Sequence, residues 1–407
     1  MIKKIVIYKF FILFLALAVV FLPTVLGGDS NSKYEAIITA VGIDKTGGEY
    51  EVSLQYLIPT TGGQSKERLD IISETGPDIS TIAGKLNLKL GKFIGLTHCK
   101  AIIVSGAVAE EDLTRVYDYA VRFRINTNNI TLIYTPDSSK DFLTAASDLQ
   151  NNVYYSMSAQ GNFALSYMQG SKSFLSEFYK NYMSPWRTST LPLIEIVEEG
   201  AGESSDTGSA GGSGGGGGGG GASGKQGLSN SGKTVVIKNG KKLLELDERK
   251  SFCMNWFEPQ STMGIFSVKN VDGGQYNNAT VGIEIVNKRT KIKAGFKNGV
   301  PVYHLNLDLS VRVADVEQDG LTQQNYDLLK ENVNSTLKKE VIAQVKSDAE
   351  EFITYSKANN FDAINAYKTF YRYKNREFKK FLSSLSSPDN YIDNMEFEIS
   401  ITVRGGV

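Results

Sequence analysis

Near the end of the chain two strict alternations bracket a long helical stripe. Leu305, Leu307, Leu309, Val311 and Val313 alternate with Asn306, Asp308, Ser310 and Arg312. Met395, Phe397, Ile399, Ile401 and Val403 alternate in the same way with Glu396, Glu398, Ser400 and Thr402. A period of two marks a strand with one buried face. Between these runs Leu329, Val333, Leu337, Val341, Val345 and Phe352 recur at helical spacing, and a second helical stretch covers 361–382. A strand, two helices and a strand bury their apolar faces together as helices laid on a sheet.

The first part of the chain carries the same two periods in another order. Residues 36–43 and 50–58 read as a hairpin across the glycines of Asp44-Lys45-Thr46-Gly47-Gly48, the second strand half-buried. From Asp78, a suitable N-cap, Ile79, Ile82, Ala83, Leu86 and Leu90 share a helical face. Strand patterns at 101–104 and 129–135 enclose a second helix marked by Leu113, Val116, Tyr117, Ala120 and Val121. The pattern of 141–186 is broken, and 191–197 reads as a strand.

Residues 198–231 form a Gly/Ser tract that includes eight glycines in a row at 214–221. Such a tract buries almost no apolar surface and cannot offset the entropy of ordering it. Beyond it, 234–237 and 242–246 read as strands around Asn239-Gly240, a strong hairpin turn. If 191–197 pairs with that hairpin, the tract is an insertion within a domain; if not, it is a linker.

At the N-terminus Lys3, Lys4 and Lys9 precede an unbroken apolar run over 10–22, then Pro23-Thr24-Val25-Leu26-Gly27. A charged head, an apolar stretch and small residues make an export signal. Extended back through 5–8, the run is also long enough to stay in the bilayer as an anchor. The lysines then hold the N-terminus in the cytoplasm and place everything after Gly28 outside.

The organisation expected is therefore of the α+β class: several mixed domains with antiparallel or mixed sheets packed against helices, after one N-terminal membrane-spanning or signal helix. The divisions are 1–28, a signal peptide or uncleaved anchor; 29–140, an α/β domain; 141–290, a middle domain with a disordered Gly/Ser insertion at 199–232; and 291–407, the strand-helix-helix-strand domain.

Composition and motifs narrow the chemistry. Lys+Arg 44 against Asp+Glu 44 leaves a formal net charge of +0, without the basic excess of a nucleic-acid binder. His98, His304, Cys99 and Cys253 are the whole stock of histidine and cysteine, too few and too scattered for a zinc site. The cysteines sit in strand-like apolar contexts and read as buried free thiols. His98 reads as structural, His304 as solvent-exposed, and Asp348, Glu350 and Glu351 as lying on the solvated side of the long helix.

Gly227-Leu228-Ser229-Asn230-Ser231-Gly232-Lys233-Thr234 fits the P-loop pattern in every specified position. A phosphate cradle needs a buried strand before the loop and a helix after it. Here the tract precedes, and a strand and turn follow. Gly211-Gly212-Ser213-Gly214-Gly215 fits a nucleophile elbow, but nothing around it builds the strand and helix that motif needs.

Several stretches in order resemble the Ger(x)C family, the C subunits of spore-germination nutrient receptors. Ala40-Val41-Gly42-Ile43-Asp44-Lys45, with the strand that follows, resembles the family's opening Gly-Ile-Asp hairpin. Lys92-Phe93-Ile94-Gly95-Leu96-Thr97-His98-Cys99-Lys100 is similar to its aromatic, then Gly-His-x-Lys/Arg, segment, with two residues separating Gly95 from His98. Residues 122–134 and the terminal strand ending Val403-Arg404-Gly405 also fit. Tyr371-Arg372-Tyr373-Lys374-Asn375-Arg376-Glu377-Phe378 resembles a Tyr-Arg-Lys-Tyr-Pro-Lys-Glu-Trp element, without its proline and with Phe for Trp.

The resemblance implies three mixed α/β domains and a non-enzymatic subunit on the outer face of the spore inner membrane, assembled with A and B type membrane subunits. It implies no cofactor and no nucleic acid, and no catalytic, cofactor-binding, metal or lipidation residue is assigned; the ligand-binding residues are unassigned too. Relatives usually carry a lipobox cysteine after the signal. Gly27, Gly28 and Asp29 stand there instead, so lipid cannot attach at that point. The rival readings are a secreted or surface interaction protein unrelated to germination and a tethered P-loop NTPase.

Overall fold

A computed structural model describes residues 35–58, 68–122, 127–148, 165–198, 226–273, 276–320 and 333–405. The expected N-terminal helix and most of the Gly/Ser tract lie outside these residues. Among the described residues no helix is long and apolar enough to cross a membrane.

Strands β1 (Glu35–Thr46), β2 (Glu49–Ile58) and β3 (Arg68–Gly76) form an antiparallel meander. Gly47 and Gly48, both at positive φ, turn the first hairpin. On the other side of β1, β5 (Ala101–Ser105) and then β6 (Thr131–Thr135) add in parallel, and the short β4 (Phe93–Gly95) pairs with the start of β1. Parallel neighbours need crossovers, and the helices supply them. On one face lie α1 (Ile79–Leu90), α2 (Gly106–Glu111), α3 (Thr114–Arg122) and α5 (Leu175–Tyr182), through Ile82, Leu86, Val108, Val116 and Phe178. On the other lies α4 (Ser139–Asp148), through Phe142, Leu143 and Ala146.

That second layer corrects the half-buried reading of β2. Ser53 and Gln55, on its supposed wet face, are fully buried. They are satisfied across the sheet by the Ser73 hydroxyl at 2.9 Å and the Thr39 hydroxyl at 2.8 Å.

A three-stranded sheet, β11-β10-β7, joins β7 (Thr188–Pro192) to the hairpin of β10 (Thr234–Lys238) and β11 (Lys241–Leu246). The tract is therefore an insertion between paired strands. Residues 226–232, counted with the tract, are ordered: β9 (Gln226–Ser229) pairs antiparallel with β8 (Glu195–Glu198). The run 191–197 is accordingly two strands, because the chain leaves β10 at Leu193 and hydrogen-bonds through the Ile194 N–H to the Tyr134 carbonyl of the first sheet. Val235 and Ile237 of β10 face the first core, and Val236 the C-terminal core. An apolar run buried on both faces carries no alternation.

The C-terminal sheet runs β12 (Gly264–Gly273), β13 (Tyr276–Lys297), β14 (Val300–Glu317) and β15 (Glu396–Gly405), with β15 parallel to β14. The division expected between 290 and 291 falls inside β13. Bulges at Gly282/Ile283 and Ile285/Asn287 break that strand's period, which hid its length from the sequence. Over the sheet lie α7 (Ser335–Ala358), α8 (Ala366–Tyr373) and α9 (Asn375–Ser384), joined to α6 (Glu248–Met254). Cys253 thus sits in a helix, not a strand; it and Cys99 are buried free thiols. The expected helix 361–382 is two helices, with Asp362 accepting from the Ala366 and Tyr367 N–H groups ahead of the first.

Candidate functional site

The family-like motifs prove architectural. Asp44 of the Gly-Ile-Asp hairpin is buried and caps α4, accepting from the Ser139 N–H at 3.0 Å, the Ser139 hydroxyl at 2.7 Å and the Lys140 N–H at 3.3 Å. A Cβ on Gly42 would meet Ser139 Oγ at 2.6 Å, so only glycine admits this approach. Asn375 takes the place of the family's proline as the first residue of α9, a position proline also suits. Phe378, in place of tryptophan, is fully buried against Phe370 and Tyr367.

The chemical decoys come apart. Lys233 is held by Glu195, at 3.0 and 3.2 Å from its two oxygens, and Thr234 opens β10 rather than a helix. His98 is exposed in a loop, while His304 Nδ1 lies 2.9 Å from Glu398 at a half-exposed strand position. Asp348, expected on the wet side of α7, is buried there and meets Arg249 at 2.5 Å. It stands three residues after Val345 and four before Phe352, on the buried stripe itself. Among the described residues no three or more His, Cys, Asp or Glu side chains gather as a metal site.

What the structure does assemble is a polar cleft between the three-stranded sheet and the C-terminal helices. One cavity, of about 110 Å³, is lined by Lys172, Glu177, Thr188, Asn255, Glu258 and Asp362, among others. A second, of about 470 Å³, lies against the same Thr188 and Asp362 and is bordered by Trp186, Lys238, Tyr367 and Tyr391.

Two buried polar groups set the walls. Lys288, on β13, puts its ammonium 2.7 Å from the Asn255 carbonyl, 2.8 Å from the Glu258 carbonyl and 3.0 Å from Thr290 Oγ1. Its three N–H donors thus match three acceptors. Burial pulls its pKa down to about 7, opposed by the nearby Glu258 carboxylate. The Asn255 amide meanwhile donates to the carbonyls of Met168, Gly170 and Ser251, tying the 168–170 turn to α6. On the opposite wall Asp362 also accepts from the Tyr391 hydroxyl at 2.7 Å. Burial holds its carboxyl above the ordinary range, against these hydrogen bonds.

At the rim Trp186 lies 6.0 Å from Tyr367 and 6.4 Å from Tyr371 by ring centroid, and Tyr371 is part-exposed. Met168, Arg187 and Asn365, all at positive φ, sit in or beside the walls. Left-handed backbone at methionine and arginine costs on the order of 1 kcal/mol or more each, and such positions cluster where a surface must keep one shape. The sequence did not reveal Trp186, Asn255, Lys288 or Asp362, since each comes from a separate element. The one local signal was a lysine within a strand at a position the fold buries.

The cleft joins aromatic rings at its rim to polar walls fixed by hydrogen bonds. The chain is similar in shape to the crystal structure of the GerBC protein, with 13% identity and a TM-score of 0.48 over 89% of this chain and 96% of that one. No curated protein matches it. Residues 31–196 match the family model "Spore germination protein N-terminal domain", and residues 232–404 match "Spore germination B3/ GerAC like, C-terminal". The two matches follow in order with the Gly/Ser tract between them, and the chain belongs to the GerAC-like family of spore germination proteins, the C subunits of germinant receptors.

Proposed function

We propose that this germinant-receptor subunit catalyses no reaction. It works as a contact module on the outer face of the spore inner membrane, assembled with A and B type membrane subunits. The observation that carries this is the ordered pair of family matches across most of the chain. The occupied Lys233 supports it, because its pair with Glu195 turns the one P-loop-like stretch into packing. Residues 5–26, whose apolar run is 10–22 extended back through 5–8, hold the chain at the membrane in place of the lipid of its relatives.

In this reading the cleft rim meets another subunit, with Trp186 and Tyr371 as aromatic anchors. Deleting the gene should abolish germination triggered by one nutrient, and the intact gene should restore it. Trp186→Ala should restore it poorly while the protein accumulates normally. Unchanged nutrient responses after deletion would refute the function, and full rescue by Trp186→Ala would refute the contact.

A further inference from the structure

One corner of the first sheet leaves large apolar side chains in water. Leu88, in the last turn of α1, is 85% exposed, and Phe93, on β4, is 65% exposed. Ile37, across from Gly95 in the β1–β4 ladder, is 36% exposed. Lys85, Lys89 and Lys92, all exposed, are near Leu88 and Phe93 in sequence, and the exposed Glu35 carboxylate lies against Gly95 in the same corner. Lys85 donates to the Thr75 carbonyl, and Lys89 to the Ser73 carbonyl and, at 3.5 Å, to Glu74. Beside the corner a cavity of about 520 Å³ has an apolar side of Ile37, Ile58, Ile72 and Leu90 and a rim that includes Lys92 and His98.

This corner is also where the chain comes in. Glu35, the first described residue, pairs with Phe93. Residues 23–34, twelve in all, separate Glu35 from the apolar run 10–22. They span at most about 40 Å fully extended. If that run enters the bilayer, no other described part of the molecule is tied closer to it along the chain.

We propose that the Leu88–Phe93 corner lies on an anionic bilayer, with Leu88 and Phe93 in the headgroup region and Lys92 against lipid phosphates. Exposed apolar side chains flanked by lysines are what an interfacial element presents. Each lysine near an anionic surface multiplies affinity by about fivefold. The contact is a second membrane signal beside the N-terminal run and fixes which way the cleft faces. It rests on the reading of residues 5–26 as membrane-inserting.

The test uses the full chain reconstituted into phosphatidylcholine vesicles, with and without phosphatidylglycerol. A fluorophore is placed on Leu88→Cys, Phe93→Cys or, as control, Ile265→Cys on β12; Cys99 and Cys253 are buried and stay unlabelled. Lipids carrying a nitroxide on the upper acyl chain should quench the labels at 88 and 93 several-fold more than the label at 265. Anionic lipid should strengthen the effect, and Lys92→Glu should remove that gain. Equal quenching at all three sites, with the chain still on the vesicles, overturns the proposal and leaves the anchor standing. Labels shielded from aqueous iodide but not reached by the lipid nitroxide mean that protein covers the corner, which also overturns it. Loss of the chain from the vesicles overturns the anchor itself, and this contact with it.

Discussion

Replacing Lys288 by methionine keeps most of the aliphatic volume and removes a buried ammonium. In the unfolded chain this lysine holds its proton up to about 10.5, whereas in the fold burial brings release down to about 7. Between those values the unfolded state binds more protons, so stability rises with pH across that window. Below it both states are protonated and the full cost of burying the charge is present, about 5 kcal/mol at 1.36 kcal/mol per pH unit. From pH 7 to pH 9 the wild type should therefore gain about 2 kcal/mol that the variant does not. Methionine also leaves the Asn255 and Glu258 carbonyls without this donor, at about 1–3 kcal/mol each. The two effects are of similar size, so at pH 7 the variant should lie within about 2 kcal/mol of wild type. Urea unfolding followed by the buried Trp256, in a Trp186→Phe background, reads both. Parallel pH profiles for the two proteins would refute the argument, since they would mean that the wild-type lysine does not titrate in this window.

Replacing residues 200–225 by a short Gly-Ser turn should leave the melting temperature nearly unaltered, because the β8–β9 ladder already closes the ends of the insertion; a large cooperative loss would show that the tract is packed. Lys233→Ala should change stability by less than about 1 kcal/mol, since its pair with Glu195 is about a third exposed on each side, and neither form should retain ATP in equilibrium dialysis; ATP retained by the wild type and lost in the variant would revive the P-loop reading. Burial pushes the Cys99 and Cys253 thiols up to about 12, so an aromatic disulfide reagent at pH 8 should react with neither until urea unfolds the chain; fast reaction of either in the native state would contradict its burial.

Elements with one covered face were the legible ones. β14, β15 and α7 each pack on one side, so their periods of two and 3.6 survive in the sequence. The Asn239-Gly240 hairpin was equally plain, both residues taking the positive φ its turn demands. Where two layers press on one element the period disappears: β2 hid Ser53 and Gln55 inside the protein, and β10 serves two cores at once. β13 was missed although Asn298-Gly299, also at positive φ, marks its turn into β14, because its exposed half is rich in lysine and its inner half is bulged. Asp348 looked solvated because its partner, Arg249, lies 99 residues away in sequence. The cleft was invisible for the same reason. Its lining comes from residues near 172, 188, 255 and 362, with Lys288 bracing Asn255 and Glu258 from behind, and only the fold makes them neighbours.

The claim that this chain acts by assembling with membrane subunits is tested most directly by recovering it from spore membranes. With a tag on Val407, the detergent-solubilised wild type should bring down polytopic membrane proteins in fixed proportion, and Trp186→Ala should recover markedly less of them. A chain that purifies alone from those membranes, while its gene is still needed for the nutrient response, would contradict the account.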